Sequence, residues 1–585
     1  MKNTAFAAVS SVPALLHRRR DDSGVAHRVK RLGLWREISW SEYATAVEEL
    51  AAWLSEQGID PGDRVALLGE NCPEWLVSDL AIQSAGAITV GVYATSSPEQ
   101  LHYCLQHSEA AGLILEDAEQ LEKWLVIADQ CPDIRFVLVM EPEPFEGIVQ
   151  WHDALAQGRT VLQRDPARIS GRIEALTHDE VALFIYTSGT TGDPKAAMLT
   201  HGNLLWAVDS LGEAIPVTED DEFISFLPLS HIVERLISVV APLYRGYPVS
   251  FTENLDTVMQ NMQEIRPTVF FAVPRIWEKM FSLVELHMKD AHLLKQLAYR
   301  WAVRNVRGGN RSGLGAVLSN LLVMRFLKIR LGLDRVRVAI SGAAPIAPAI
   351  ISYFRALGVD LREGFGLTES TGIIAIHRRD GKLGTVGPAF PGVEIRISDE
   401  GEILSRSPGN FKGYWRDPEG TAEALADGWL HTGDIGELDS DGNLSITDRK
   451  KDIIITAGGK NIAPQKIENQ LKSSIYINDA VVFGDRRRYL VALIVLDEDN
   501  ITKWAADRQL PYTTYSDLAQ HEEVEALINE EIEEVNRALA RVETIKRFAI
   551  LSKRLYHEDG EVTATLKVKR ASLEERYREL IESLY

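Results

Sequence analysis

Cysteine is scarce. Three thiols in 585 residues, Cys72, Cys104 and Cys131, sit too far apart for a disulfide scaffold and match no zinc or redox spacing. They read as reduced thiols, and the expected compartment is the cytoplasm. Long apolar runs are missing too: the best candidate, "LGAVLSNLLVM" from Leu314, falls short of the roughly 18 consecutive apolar residues of a membrane span. It is followed by Arg325, Lys328 and Arg330. Positive charge is in deficit, with 63 Lys and Arg against 84 Asp and Glu, a formal net charge of −21. That balance excludes a broad electrostatic attraction to nucleic acid, so any anionic ligand must be held locally. Neither a solenoid-type repeat nor a low-complexity tract occurs. The opening "MKNTAFAAVSSVPALLHRRRDD" has one Lys before its short apolar run and three Arg after it, the reverse of a secretory leader. A loosely ordered start is expected there.

What remains is a globular composition, 45% hydrophobic and 25% charged, in a chain long enough for at least two domains. From Trp40 to Val139 helical faces alternate with short apolar strands: "YATAVEELAAWLSEQG" before "RVALLG", "WLVSDLAIQSAG" before "ITVGV", "EQLHYCLQHSEA" before "GLILE". This rhythm predicts an α/β fold with parallel sheets and ligands at strand ends. It resumes in "EFISFLP", "TVFFAVP" and "RVRVAISGAAP", while "GVEIRISDEGEILSRSPGNFKGYW" reads as a β unit turning at Gly401 and Gly409. The charged run DRKKD predicts a boundary with a hinge, dividing residues 1–447 from a smaller α+β segment at 448–585. Between Met288 and Arg337 eleven Lys and Arg face only Asp290 and Asp334, a window of +9. It is either a solvated helical face or a docking face for phosphates or for the inner, anionic surface of a membrane, a peripheral contact.

The densest signal is "YTSGTTGDPKAAMLTH", Tyr186 to His201, with six consecutive Gly, Ser or Thr after an apolar strand and before Pro194 and Lys195. Such a loop lets backbone N–H groups and hydroxyls converge on an anion, a phosphate cradle. The Walker A spacing is absent, because no Gly-Lys-Ser/Thr follows Gly189.

This stretch resembles the signature of the adenylate-forming (AMP-binding) superfamily, which includes acyl-CoA synthetases, luciferases and peptide-synthetase adenylation domains. Five further blocks agree in order: "SGAAP" at Ser341, "GFGLTES" at Gly364, "GWLHTGD" at Gly428, "DRKKDIIITAGGKNIAP" at Asp448 and "TATLKVKR" at Thr563. The resemblance covers about Ser39 to Arg570 and implies a large N-terminal domain of α/β subdomains with a β-rich subdomain, plus a small mobile C-terminal domain. It implies a two-step reaction in which a carboxylate attacks the α-phosphorus of ATP, giving acyl-AMP and pyrophosphate, and a thiol then displaces AMP.

By resemblance, Thr187, Ser188, Gly189, Thr190, Thr191, Gly192 and Lys195 surround the β and γ phosphates. Glu369 with Thr190 would ligate Mg²⁺, a hard cation suited to oxygen ligands, and Thr368 lies beside the α-phosphate. Gly342, Ala343, Ala344, Phe365 and Gly366 match the adenine pocket; Phe365 stands where most relatives carry Tyr. Asp434 and Arg449 match the ribose contacts. Lys567 matches the lysine that bridges substrate carboxylate and α-phosphate, where an ammonium at about 4 Å and effective dielectric near 20 contributes about 4 kcal/mol to a developing anion. Lys451 matches the hinge, and Gly458, Gly459 and Lys460 belong to a loop expected to line the thiol tunnel. Ala196 replaces a common Gly and is expected at negative φ.

For the acid itself, "FLPLSHIVER" at Phe226 and "PTVFFAVPRIWEKM" at Pro267 resemble the long-chain fatty acyl-CoA synthetase branch. Their aromatics, Trp277 included, are expected either to line an acyl tunnel or to pack as core. His231 is a candidate to touch the acyl chain or gate its access, or else a satisfied core histidine, and Glu234 with Arg235 reads as a structural ion pair. The expected function is AMP-forming ligation of a long-chain fatty acid to coenzyme A. Alternatives are an acyl-AMP ligase loading a carrier protein, a medium-chain or aromatic acid:CoA ligase, a luciferase-like oxygenase and a non-catalytic lipid-binding relative.

Overall fold

The computed structural model describes residues 9–141, 145–187, 193–254, 257–306, 314–556, 559–563 and 567–585. The predicted α/β rhythm is present. The helix Trp40–Glu56 begins at a capping box, Ser39 accepting from the Glu42 N–H while Glu42 reaches back to the Ser39 N–H. It stops before Gly58, whose φ of +77° suits a residue without Cβ. Helices Pro73–Ser84 and Pro98–Ser108 alternate with strands Arg64–Leu68, Ile88–Val92 and Ala110–Leu115. Leu67, Leu68, Val90, Leu113 and Ile114 are fully buried, as strands covered on both faces require.

These strands belong to an eight-stranded sheet. From Val181–Thr187 outward, Ile88–Val92, Arg64–Leu68, Ala110–Leu115, Val137–Val139 and Val149–Gln150 run parallel. On the other side Lys195–Thr200 pairs antiparallel with Val181–Thr187, and Gly413–Tyr414 pairs antiparallel with it in turn. The Gly/Ser/Thr loop is therefore the connection of a hairpin whose last rung opposes Thr187 and Lys195. Ala196 sits fully buried in that second strand, at ordinary extended backbone, as expected.

A second sheet orders Val269–Ala272, Val338–Ser341, Leu361–Phe365 and Ala375–Ile376, the first three parallel. A third joins Val25–Arg31 and Leu34–Ser39 to Phe223–Ser225 and Val249–Phe251. The β unit is a four-stranded antiparallel sheet of Glu394–Ile397, Glu402–Arg406, Leu430–Leu438 and Leu444–Arg449, turning at Gly401 with φ +82°. Asp448 and Arg449 end its edge strand, so the chain leaves this sheet at Lys450 rather than at 448. The C-terminal segment has its own core around the sheet Ile477–Phe483, Leu490–Leu496 and Ile545–Ile550, as an independent small domain requires. One Oδ of Asp448 accepts from the Gln465 N–H at 2.9 Å, capping the first helix of that domain, Pro464–Leu471, from the last strand of the large one. Burial pushes the Asp448 carboxyl up to about 6.

One expectation changes here and one open alternative is decided. Glu234 and Arg235 do not pair with each other: Glu234 accepts from Ser225 and Ser238, and Arg235 meets Asp79 at 2.7 Å beneath Trp75. Neighbours one apart on a helix point in different directions. Trp277 is fully buried against Phe270 and Phe354 in the second core, so it is packing rather than tunnel wall. Among the described residues no helix is long and apolar enough to cross a membrane.

Candidate active site

A cavity of about 1550 Å³ opens at the C-terminal ends of the strands Val181–Thr187, Val338–Ser341 and Leu361–Phe365 and is closed from the other side by the small domain. One end is polar, with Thr187, Lys195, Thr368, Glu369, Arg449, Lys451 and Lys567. The other is apolar, including Leu211, Ile215, Phe223, Phe271 and Ile340.

At the polar end Glu369 sits in a single 3₁₀ turn, Thr368–Ser370. Its backbone carbonyl accepts from the Phe411 N–H at 2.8 Å and its Oε1 from the Tyr414 hydroxyl at 2.6 Å. Burial and the adjacent Glu369 charge hold the Tyr414 phenol protonated, raising it far above its usual range. Lys195 lies 5.2 Å from the Tyr414 ring centre and pairs with Asp417 at 2.6 Å. Tyr414 thus holds the carboxylate at its hydroxyl and the ammonium over its ring. Neither Tyr414 nor Asp417 carried a sequence signal of its own; they arrive because Gly413–Tyr414 is the edge strand next to Lys195–Thr200. Of the loop itself, Thr187 and Lys195 are placed, while Ser188, Gly189, Thr190, Thr191 and Gly192 lie outside the described residues.

The strand end at Ser341 continues into Gly342 and Ala343, both on the cavity wall. A Cβ on Gly342 would come within 3.1 Å of the Phe271 ring, and Ala343 adopts a left-handed backbone, φ +67°, that a non-glycine residue holds only at a cost of about 1 kcal/mol or more. Phe365 and Gly366 face the same space; a Cβ on Gly366 would fall 2.1 Å from the Gly372 carbonyl oxygen. Ala344 is not on the wall. His231 is, and its Nδ1 accepts from the Val233 N–H at 3.3 Å, so the ring caps the helix Ile232–Arg235. Burial drops it to about 4, which keeps it neutral.

Asp434 and Arg449 face each other across the β unit and pair at 2.8 Å. Asp434 is buried with its Oδ2 unpartnered among the described residues, and burial raises its carboxyl against the pull of Arg449 and Lys567. Thr563 and Lys567 exchange hydrogen bonds of 2.7 and 3.0 Å. The Lys567 ammonium is lowered below the ordinary lysine value, first by burial and then by Arg449, against Asp434, Asp452 and Asp448. Gly458, Gly459 and Lys460 are not brought to this cavity. They form the exposed tip of the hairpin between Ile454–Ile455 and Asn461–Ile462, with Gly459 at φ +72°.

Residues 18–415 match the sequence pattern of AMP-binding enzymes, and residues 451–585 that of the AMP-binding enzyme C-terminal domain. The chain belongs to the AMP-binding enzyme family. The long-chain-fatty-acid–CoA ligase FadD15 of Mycobacterium tuberculosis is 35% identical to this AMP-binding enzyme over 581 residues, 97% of this chain and 96% of the relative. The long-chain-fatty-acid–CoA ligase ACSBG2 of Xenopus laevis is 30% identical, over 96% of this chain and 81% of its own. In fold, the AMP-binding enzyme is similar to the anthranilate CoA ligase AuaEII crystallised with anthranoyl-AMP, with a TM-score of 0.76 at 20% identity and 99% of each chain covered. The resemblance read from the motifs and the architecture inferred from it both hold.

Proposed function

We propose that this AMP-binding enzyme ligates a long-chain fatty acid to coenzyme A through an acyl-adenylate. The observation that carries the reading is a single cavity joining a cationic end, Lys195 and Lys567 with Glu369, to an apolar end around Phe223, Phe271 and Ile340. A carboxylate oxygen attacks the α-phosphorus, the bond to the β-phosphate bridging oxygen breaks, and pyrophosphate leaves. The thiol sulfur of coenzyme A then attacks the acyl carbon, the bond to AMP breaks, and the thiol proton goes to solvent.

In this reading Lys195 and the loop after Thr187 hold the β and γ phosphates. Gly342, Ala343, Phe365 and Gly366 receive the adenine against bare backbone, and the free Oδ2 of Asp434, beside Arg449, accepts a ribose hydroxyl. Thr368 lies at the α-phosphate. Lys567 neutralises charge on the attacking carboxylate and the α-phosphate; its burial concentrates the field, since the same ammonium in water would be screened. Glu369 suits Mg²⁺, but no cluster of three metal-ligating side chains occurs among the described residues, so a cation there would draw its other ligands from phosphate oxygens, Thr190 and water. Bound Mg²⁺ would supply Lewis-acid stabilisation of the leaving phosphates. Neutral His231 lies on the wall near the apolar branch and suits contact with an acyl chain rather than proton transfer. For the second step the small domain, which follows the strand ending at Arg449, turns about Lys451 and brings Gly458, Gly459 and Lys460 to the cavity as the thiol path.

Incubation with ATP, Mg²⁺, coenzyme A and an equimolar range of acids from acetate to stearate, with aromatic acids included, is expected to give mainly long-chain thioesters by mass spectrometry. Acyl-AMP without thioester would move the acceptor to a carrier protein. Medium-chain or aromatic thioesters would discard the tunnel reading and keep the chemistry.

A further inference from the structure

The +9 window folds into helices Leu293–Val306, Leu314–Ser319 and Arg325–Arg330, the last two joined through the π-helical turn Asn320–Met324. The two arms pack side by side, with Asn305 near the end of the first donating to Ser319 of the second at 3.4 Å. Their inner faces are ordinary: Tyr299, Ala302, Ala316 and Met324 are buried in the second core. Their outer faces are not. Ten of the nineteen large apolar side chains exposed among the described residues lie between Leu293 and Ile329, including Leu294 at 70%, Phe326 at 62% and Leu322 at 60%. Scattered single exposed apolar residues need no explanation, but a contiguous set marks an interaction surface.

The charged residues interleaved with this set all carry one sign. From Ala291 to Leu333 the sequence has eight Lys and Arg and no Asp or Glu, in a chain whose net charge is −21. Lys295, Arg300 and Arg304 are exposed, and no carboxylate among the described residues pairs with them. A solvated basic face would not carry Leu, Trp301 and Phe326 among its charges. A coenzyme A phosphate site would open on the cavity, and no described residue from 288 to 337 lines it.

We propose that the helical arms 293–306 and 314–330 dock this enzyme onto an anionic phospholipid bilayer. Leu294, Leu297, Trp301, Leu318, Leu322 and Phe326 enter the headgroup and acyl boundary while the flanking Lys and Arg meet lipid phosphates. Because the rest of the chain is acidic, the membrane attracts this face and repels the others, so charge sets the orientation of docking. Docking stands apart from the acyl-CoA ligase reading. Only its consequence, that substrate is taken from the layer in which fatty acids partition, rests on that reading.

The test is co-sedimentation of the full-length protein with vesicles of phosphatidylcholine mixed with phosphatidylglycerol, against phosphatidylcholine alone, which needs no turnover. Wild type is expected to bind the anionic vesicles and to weaken as salt rises. The triple variant Leu294→Ser, Leu322→Ser, Phe326→Ser should lose about tenfold or more in partitioning. The variant Lys295→Glu, Arg300→Glu, Arg304→Glu should lose the preference for anionic lipid, with circular dichroism confirming that both fold. Should either triple fail to fold, Trp301→Phe should reduce quenching of the protein's fluorescence by brominated lipid. Failure of wild type to bind anionic vesicles, binding that neither triple changes, or self-association abolished by the apolar triple without any lipid dependence would each overturn the proposal; the last would assign the face to a second copy of the chain.

Discussion

Two turns of the small domain occupy opposite situations. Lys567 is pushed into the cavity, its ammonium destabilised by burial and by Arg449 and restored only in part by Asp434, Asp452 and Asp448. Gly458 to Lys460, an equally small turn with its own backbone ring from Thr456 to Lys460, stands in solvent and touches nothing of the site. A turn that pays for burial has a use where it sits, whereas a left-handed, side-chain-free turn at Gly459 has its use somewhere else. On the proposed reaction, this arrangement of the domains is the one for adenylation, and the thiol step is assigned to another.

The largest expected effect separates the two turns. Lys567→Ala should lower acyl-adenylate formation by about 10² to 10³, the loss of a buried charge from a transition state, measured by pyrophosphate exchange. Glu369→Gln should weaken the Mg²⁺ dependence of the same step by at least the roughly 10- to 100-fold seen when support around a metal is lost, read from Mg²⁺ titrations of the exchange rate. Gly459→Val should leave exchange unchanged and slow thioester release by about tenfold, since a β-branched residue at positive φ costs about 1–2 kcal/mol. A pH profile sharpens the comparison further. The Lys567 ammonium is present below its depressed value and lost above it, so exchange should fall on the alkaline side before an ordinary lysine would titrate, and Lys567→Arg should remove that limb.

The smallest effect concerns what holds the small domain in place. Along the helix Pro274–Asp290, Lys289 donates to the Tyr476 hydroxyl at 3.1 Å and Asp290 pairs with Lys503, while Arg275 and Lys279 act on Asp479 and Asp497. Exposed pairs of this kind contribute about 0–1 kcal/mol each. Lys289→Ala with Lys503→Ala should therefore slow exchange only about twofold to fivefold, while limited proteolysis near Lys451 becomes faster.

The sequence made part of this site legible. Lys567, Asp434, Arg449, Glu369 and Gly342 lie in short blocks that resemble the family's motifs, and the alternation from Trp40 to Val139 follows from burial of both sheet faces. Tyr414 and Asp417 were invisible, because their position depends on a strand pairing across some two hundred residues with Lys195. Trp277 stayed open between two readings for the opposite reason: an aromatic near a substrate-like motif looks the same whether it faces a tunnel or a core. Glu234 and Arg235 misled because adjacency in sequence is not adjacency on a helix surface.

The central claim is that the half-buried Lys567 belongs to the first step alone. The direct measurement supplies Lys567→Ala with preformed acyl-adenylate and coenzyme A and follows thioester formation in a single turnover beside the wild type. Matching rates, in a variant whose exchange activity has collapsed, are the predicted result. A loss in thioester formation as deep as the loss in exchange would contradict the division of labour between the two turns.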